Sequence, residues 1–449
     1  MKRAMTALLG AALLALTGCN TTPAPFIPAF EEVDKQHDGF GLFKLDPADY
    51  PDMSRALADR EGLLEAIEKS IQYMEAPASK RFFPATDPIS HDQVYAGLLR
   101  FREMLKSNMP SPAIQAEVQK SFEVWSSVGY NWETRPAREP GKVWFTGYFT
   151  PIYRGSRTRT AEYQYPIYSR PDDLVTDPLT GDLIGQKQPD GSIKQGYYPS
   201  RAELMASGKL AGKELLWFAK PMEPYIIQVQ GSAKVITQNG EEIYVGYSGS
   251  NGGDYLGLGT QLRQEGVLTA KEVSLPNVLK FFEEHPEKRE LYINRSNRFV
   301  FMKEYTTPAE KANWPSGSIG RQVTATRSLA TDKKIFPRAS ITLIDVQTPD
   351  SSGGMKQTQR LLCDQDTGGA IRAPGRADIY YGIGGAAGAV AGRQFSEGQL
   401  FYIVLKGDQA PAVIQQLGKK TVSTPAAPKA PAPAAPKTPA APSTEIFPK

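Results

Sequence analysis

The spacing of apolar residues changes character once along this chain, at Val143, and the change limits what the chain can fold into. Upstream, Leu63, Leu64, Ile67, Ile71 and Met74 recur at helical intervals, as do Val94, Leu98, Leu99, Phe101 and Leu105, and then Ile114, Val118, Phe122 and Trp125. These three stripes predict core-facing helices. Downstream the apolar residues come in short runs rich in aromatic and β-branched types: 143–149, 163–169, 225–231, 234–238 and 242–248. Asn239-Gly240 and Asn251-Gly252-Gly253 break these runs with turn chemistry, so hairpins are expected. One helix, near 274–284, closes the block before Pro286, and strands follow at 341–346, 360–366, 378–381 and 400–406. The expected fold class is mainly β with helices at its start.

The ends of the chain read differently. Met1-Lys2-Arg3 precedes an apolar run from Ala7 to Leu16 that is too short to span a bilayer and ends in Leu16-Thr17-Gly18-Cys19. This resembles a bacterial lipobox, with Cys19 lipidated, and the lack of Asp at position 20, which is Asn20, favours transfer to the outer membrane. Residues 20–45 form the expected linker, and 409–449, where Pro, Ala and Lys repeat, the expected disordered tail. Composition narrows the function further. The only other cysteine is Cys363, which excludes an internal disulfide framework and reads as a buried strand residue. His37, His91 and His285 lie far from one another in sequence, which argues against a histidine metal cluster or a Ser-His-Asp triad. A net charge of +4, scattered along 449 residues, does not point to nucleic acid. No cofactor or metal is called for.

Chemistry concentrates in one stretch. Asp366-Thr367-Gly368-Gly369-Ala370-Ile371-Arg372 and Arg376-Ala377-Asp378 set two carboxylates on strand ends around a glycine turn. A carboxyl group of tuned pKa can donate a proton to a leaving oxygen and take one back, as glycosidic cleavage requires. Together with Phe145-Thr146-Gly147-Tyr148-Phe149-Thr150-Pro151, Ile227-Gln228-Val229-Gln230-Gly231-Ser232, Val245-Gly246-Tyr247-Ser248-Gly249-Ser250-Asn251-Gly252 and Thr326-Arg327-Ser328-Leu329-Ala330-Thr331-Asp332, this stretch resembles the membrane-bound lytic murein transglycosylase A family.

The resemblance implies a double-psi β-barrel domain with a second β domain inserted and a groove between them. The expected boundaries are 46–142 and 300–408 for the barrel with its helices and 143–299 for the insert. It further implies cleavage of the β-1,4 bond between N-acetylmuramic acid and N-acetylglucosamine without water, leaving a 1,6-anhydro end. Asp378 is then the general acid and base, with Asp366 and Asp332 as companions. Thr146, Tyr148, Gln228, Gln230, Ser232, Tyr247, Gly368, Gly369 and Arg327 are the candidate substrate-binding residues; Gln228 and Gln230 are expected to share a strand face. Arg372 is a further candidate for substrate carboxylates, and Asn251 a turn support. The implied partners are peptidoglycan strands and, through the lipid, the periplasmic face of the outer membrane. Two other readings stay open on sequence: a wall-binding lipoprotein without activity, and a muramidase that adds water. The segment 314–320 is more polar than the family's usual Gly-Ala-Leu-Gly type, which leaves the groove shape beside it open.

Overall fold

The computed structural model describes residues 41–418 apart from 86, 131–138, 270–271 and 351. Cys19, His37 and the segments 1–40 and 419–449 lie outside the described residues.

The first two predicted helices form as their stripes require. Helix Leu63–Met74 buries Leu63, Ile67, Ile71 and Met74, and helix His91–Lys106 buries Val94, Leu98, Leu99, Phe101 and Leu105. Ser90 and Gln93 close a reciprocal capping box at the start of the latter, fixing where it begins. The third stripe is cut short. Ile114 and Val118 belong to helix Ser111–Ser121, whereas Phe122 and Trp125 lie on a strand. The inward residues of that strand, Phe122 and Val124, continue into the same core that the helix faces, so a helical count carried four positions too far.

Strands β1 (Leu42–Lys44), β2 (Phe122–Ser127) and β3 (Val143–Thr150) come first. The middle of the chain supplies β4 (Ile152–Gly155), β5 (Tyr165–Tyr168), β6 (Leu174–Thr176), β7 (Leu183–Lys187), β8 (Ile193–Gln195), β9 (Glu214–Phe218), β10 (Ser232–Thr237), β11 (Glu242–Ser250) and β12 (Val300–Glu304). The last are β13 (Ser328–Ala330), β14 (Ile341–Pro349), β15 (Met355–Asp366), β16 (Arg376–Ile383) and β17 (Phe395–Leu405). The large sheet runs β1-β2-β17-β14-β15-β13-β16-β3, and β3 pairs back onto β17, so six of its strands close on themselves. Strand β17 is long enough to do both jobs, holding β2 along 401–405 and β3 along 395–398. The pairs β13/β15 and β16/β3 are parallel, which sets residues distant in sequence side by side. One continuous apolar core joins this sheet to the helices upstream.

The middle of the chain builds a four-stranded sheet, β12-β11-β10-β4, with two smaller sheets and separate, smaller apolar clusters. Helices recur here too, so the architecture is mixed helix and sheet rather than strands alone. Three edges differ from the sequence reading. Strand β3, first in the expected insert, hydrogen-bonds within the large sheet. Leu42–Lys44, placed in the linker, pairs with β2. Residues 410–417, placed in the tail, form a helix against His91–Lys106, because Ala410 and Leu417 have apolar surface to bury there.

Candidate active site

Alternation along β3 and β16 makes the site. Val143, Phe145, Ala377 and Ile379 point into the core, which leaves Thr146, Tyr148, Arg376 and Asp378 on the opposite face, each partly accessible. The parallel register sets Asp378 beside Thr146 and Tyr380 beside Tyr148. The Thr146 hydroxyl donates to Oδ1 of Asp378 at 2.9 Å, and Nη2 of Arg376 donates to the same hydroxyl at 3.3 Å. Burial raises the Asp378 carboxyl to about 6, against the pull of Arg376 and of the Thr146 hydrogen bond, with a small further push from Asp366. Tyr255, which the sequence reading did not single out, is half-buried within electrostatic reach of both Asp378 and Arg376.

Asp366 ends β15 one strand away. Ala330 of β13 pairs with Asp378 on one side and with Asp366 on the other, so the two carboxylate backbones stand about 10 Å apart, twice the interstrand spacing. That separation is why Asp366 contributes so little to the raised proton affinity of Asp378; desolvation does most of it. Asp366 itself accepts from the Tyr148 hydroxyl, Ser318 N and Thr367 N, each at 2.8 Å. The polar segment 314–320 therefore contributes through its backbone, a donor that any side chain there would leave in place.

Asp332 is a brace. Fully buried, it accepts from Lys334 N and from Ala373 N, both at 3.0 Å, and meets Arg372 at 3.8 Å. Ala373 has φ 70°, a conformation that costs a non-glycine residue about 1 kcal/mol, and Asp332 holds it. The strained residue sits in the loop that carries the chain from Asp366 to Asp378, so this buried carboxylate fixes the spacing of the other two.

The remaining candidates scatter. Gln228 and Gln230 do not share a strand face, because 222–230 is a helix ending at Gly231 with φ 77°. Helical geometry turns the two side chains about 200° apart. Gln228 is buried against Arg201, while Gln230 accepts from Phe149 N at 2.9 Å. Pro224 in the first turn and Gly231 just past the end were the signals for a helix in this apolar run. Ser232 is buried and shares a hydroxyl chain with Thr150 and Tyr380 at 2.9 and 3.1 Å. Tyr247 is 41% exposed and available to a ligand.

Arg327 does not line a groove. It is 1% exposed, and its guanidinium is spent on Asp59, on the carbonyls of Asp59 and Glu61 and on the carbonyl of Leu361. It ties the upstream helices to the large sheet. Asn251 does more than support a turn: it donates to the carbonyls of Pro199 and Asn297 and accepts from Phe299 N, joining loops some fifty residues apart in sequence. Gly368 turns the chain, its carbonyl accepting from Ile371 N at 3.1 Å. Gly369 lacks a left-handed φ; a Cβ there would lie 2.6 Å from Nε of Arg298, so close approach explains the glycine. Cys363 is buried on β15, as expected.

Comparisons with known proteins converge on one family. A family model described as the MltA specific insert domain matches residues 144–303, and one described as the 3D domain matches 327–404. The chain is 32% identical over 267 residues to membrane-bound lytic murein transglycosylase A of Escherichia coli K12, covering 58% of this chain and 65% of that protein, just under two thirds of its length. A crystal structure of E. coli MltA with bound chitohexaose is similar at a TM-score of 0.59 and 26% identity, over 81% of this chain and 93% of that one. A membrane-bound lytic murein transglycosylase from Agrobacterium tumefaciens shares the fold at a TM-score of 0.64 and 20% identity, over 84% of this chain and 100% of that one.

Proposed function

Because this chain belongs to the membrane-bound lytic murein transglycosylase A family, we propose that it cleaves the β-1,4 bond between N-acetylmuramic acid and N-acetylglucosamine in peptidoglycan and leaves a 1,6-anhydromuramyl end. The observation that carries the reading is the partly accessible Asp378 with its carboxyl raised to about 6, flanked by Arg376 and Thr146. Thr146 engages one carboxylate oxygen, and the other carries the proton. That proton passes to the glycosidic oxygen as its bond to C1 breaks. The muramyl O6 then attacks C1, and the Asp378 carboxylate takes the O6 proton, which restores the acid. The nucleophile belongs to the sugar itself, so no second carboxylate is needed to position water. Asp366, held by three donors and a strand away, shapes the site and stays out of the transfer. Arg376 stabilises the carboxylate form of Asp378 in the interval between the two transfers.

We assign Thr146, Tyr148 and Tyr247 to the glycan-binding surface; the family's chitohexaose complex supports a glycan ligand of this kind. The closed six-strand arrangement is in keeping with a double-psi barrel, the sheet around β10–β12 being the inserted unit. Lipidation at Cys19 would hold the enzyme at the periplasmic face of the outer membrane, and the relatives are named membrane-bound. No helix among the described residues is long and apolar enough to cross a membrane.

The test is digestion of purified peptidoglycan with the parent protein and with Asp378→Ala, the products being identified by mass. Anhydromuropeptides are expected from the parent and at least about 100-fold fewer from the variant. Parental activity should fall about tenfold per pH unit above about 6, as Asp378 loses its proton. Products that have gained water, or an active variant, would overturn the mechanism.

A further inference from the structure

Arg298 arrives at the site from the middle of the chain, just before β12. Its backbone is fixed on both sides: its N–H donates to the Asp254 carbonyl at 3.1 Å, and its carbonyl accepts from Nε of the buried Arg201 at 3.0 Å. The side chain lies against Gly369, whose missing Cβ leaves room for Nε, Cδ and Cζ within 2.6–2.9 Å of where that atom would stand. Among the described residues its guanidinium makes no hydrogen bond and no ion pair, although the residue is half-buried. Burial lowers its proton affinity, the nearby cation Arg372 lowers it further, and Asp182, within electrostatic reach but not paired with it, acts the other way. Tyr247 and Tyr255 also lie within reach, and Tyr255 faces the Asp378–Arg376 pair as well. A planar cation held by its backbone, largely desolvated, beside another arginine and with no hydrogen-bonded or ion-paired carboxylate among the described residues is suited to a charged ligand that the protein does not supply.

We propose that Arg298, seated on Gly369 and seconded by Arg372, is a carboxylate subsite that binds the acidic substituent of the muramyl residue. This rests on the glycan-cleaving reading above. Chitooligosaccharides carry no carboxylate, whereas muramic acid carries one on its lactyl group or on the peptide attached to it. The subsite therefore separates wall glycan from neutral glycan and sets which sugar faces Asp378. Gly369 serves it as a spacer: an alanine there must push the guanidinium aside.

The experiment is calorimetric titration in an Asp378→Asn background, so that ligands are bound without being cut. Three ligands are compared: chitohexaose, a GlcNAc–MurNAc oligomer with free lactyl carboxylates, and the same oligomer bearing stem peptides. Arg298→Gln should shift the affinity ratio of carboxylated to neutral ligand by at least about tenfold toward the neutral one. Gly369→Ala should move the ratio in the same direction, which guards against a folding defect particular to one variant. Preference for the peptide-free oligomer assigns the lactyl group, and preference for the peptide-bearing one assigns the stem; either supports the subsite. An unchanged ratio in both variants overturns it. If the background protein binds none of the three, the glycan reading itself falls and the subsite with it.

Discussion

Two carboxylates, one buried and one partly accessible, flank the short strand β13, and they have opposite fates. Asp364 on β15 is fully buried and saturated: Thr331 donates to both its oxygens at 2.9 and 2.8 Å, Tyr402 donates at 2.9 Å, and Lys333 forms a close ion pair with it. Asp378 on β16 has one hydroxyl donor and a neighbouring arginine, and its side chain is partly accessible. What separates the two is the supply of partners: Asp364 is surrounded by donors and a cation, whereas burial with few donors raises the proton affinity of Asp378. Burial by itself does not make a catalytic acid.

The contrast can be broken at the Asp364 end. Lys333→Met should destabilise the protein by about 3–5 kcal/mol in urea unfolding, since it strands a charge in the core. Adding Asp364→Asn should recover most of that loss; if the double variant is as unstable as the single one, the pair is not the cause.

At the Asp378 end the sign reverses. Its folded-state value of about 6 exceeds the ordinary 3.8, so the folded protein binds more protons between those values and loses stability as pH rises through that window. Asp378→Asn removes this penalty. The variant should be more stable than the parent by up to about 3 kcal/mol at pH 8, and no more stable at pH 3.5. An equal gain at both values would mean that the effect is not ionisation.

The smallest effect concerns the carboxylate between these extremes. Tyr148→Phe deletes one of the three donors to Asp366 and should cost about 1 kcal/mol at pH 7, measured by thermal unfolding. A neutral outcome would place Asp366 with the saturated carboxylates, able to spare a donor.

Much of this was legible in advance where one local signal dominates. The stripe from Val94 to Leu105 formed a helix with that face buried, and the helix expected near 274–284 formed as well. The run 225–231 did not, because its β-branched residues favour a strand on local grounds while Pro224 and Gly231 bracket a helix. Arg327 was misjudged for a different reason: an arginine in a motif looks like a ligand-binding group until its acceptors, Asp59 and three carbonyls, are brought together from far along the chain. Arg298 carried no motif at all.

The sequence by itself determined which residues carry acid chemistry, the alternation that turns Asp378 and Thr146 away from the core, and the helical faces that cover the sheet. These depend on side-chain identity and on periods of two or 3.6 residues, which neighbours in the chain are enough to express. Only the tertiary structure decided how acidic each aspartate is and which arginine stays unpaired. Those properties follow from the donors, charges and solvent around a group, and here they are assembled by parallel pairing of β16 with β3 and by loops that meet across hundreds of residues.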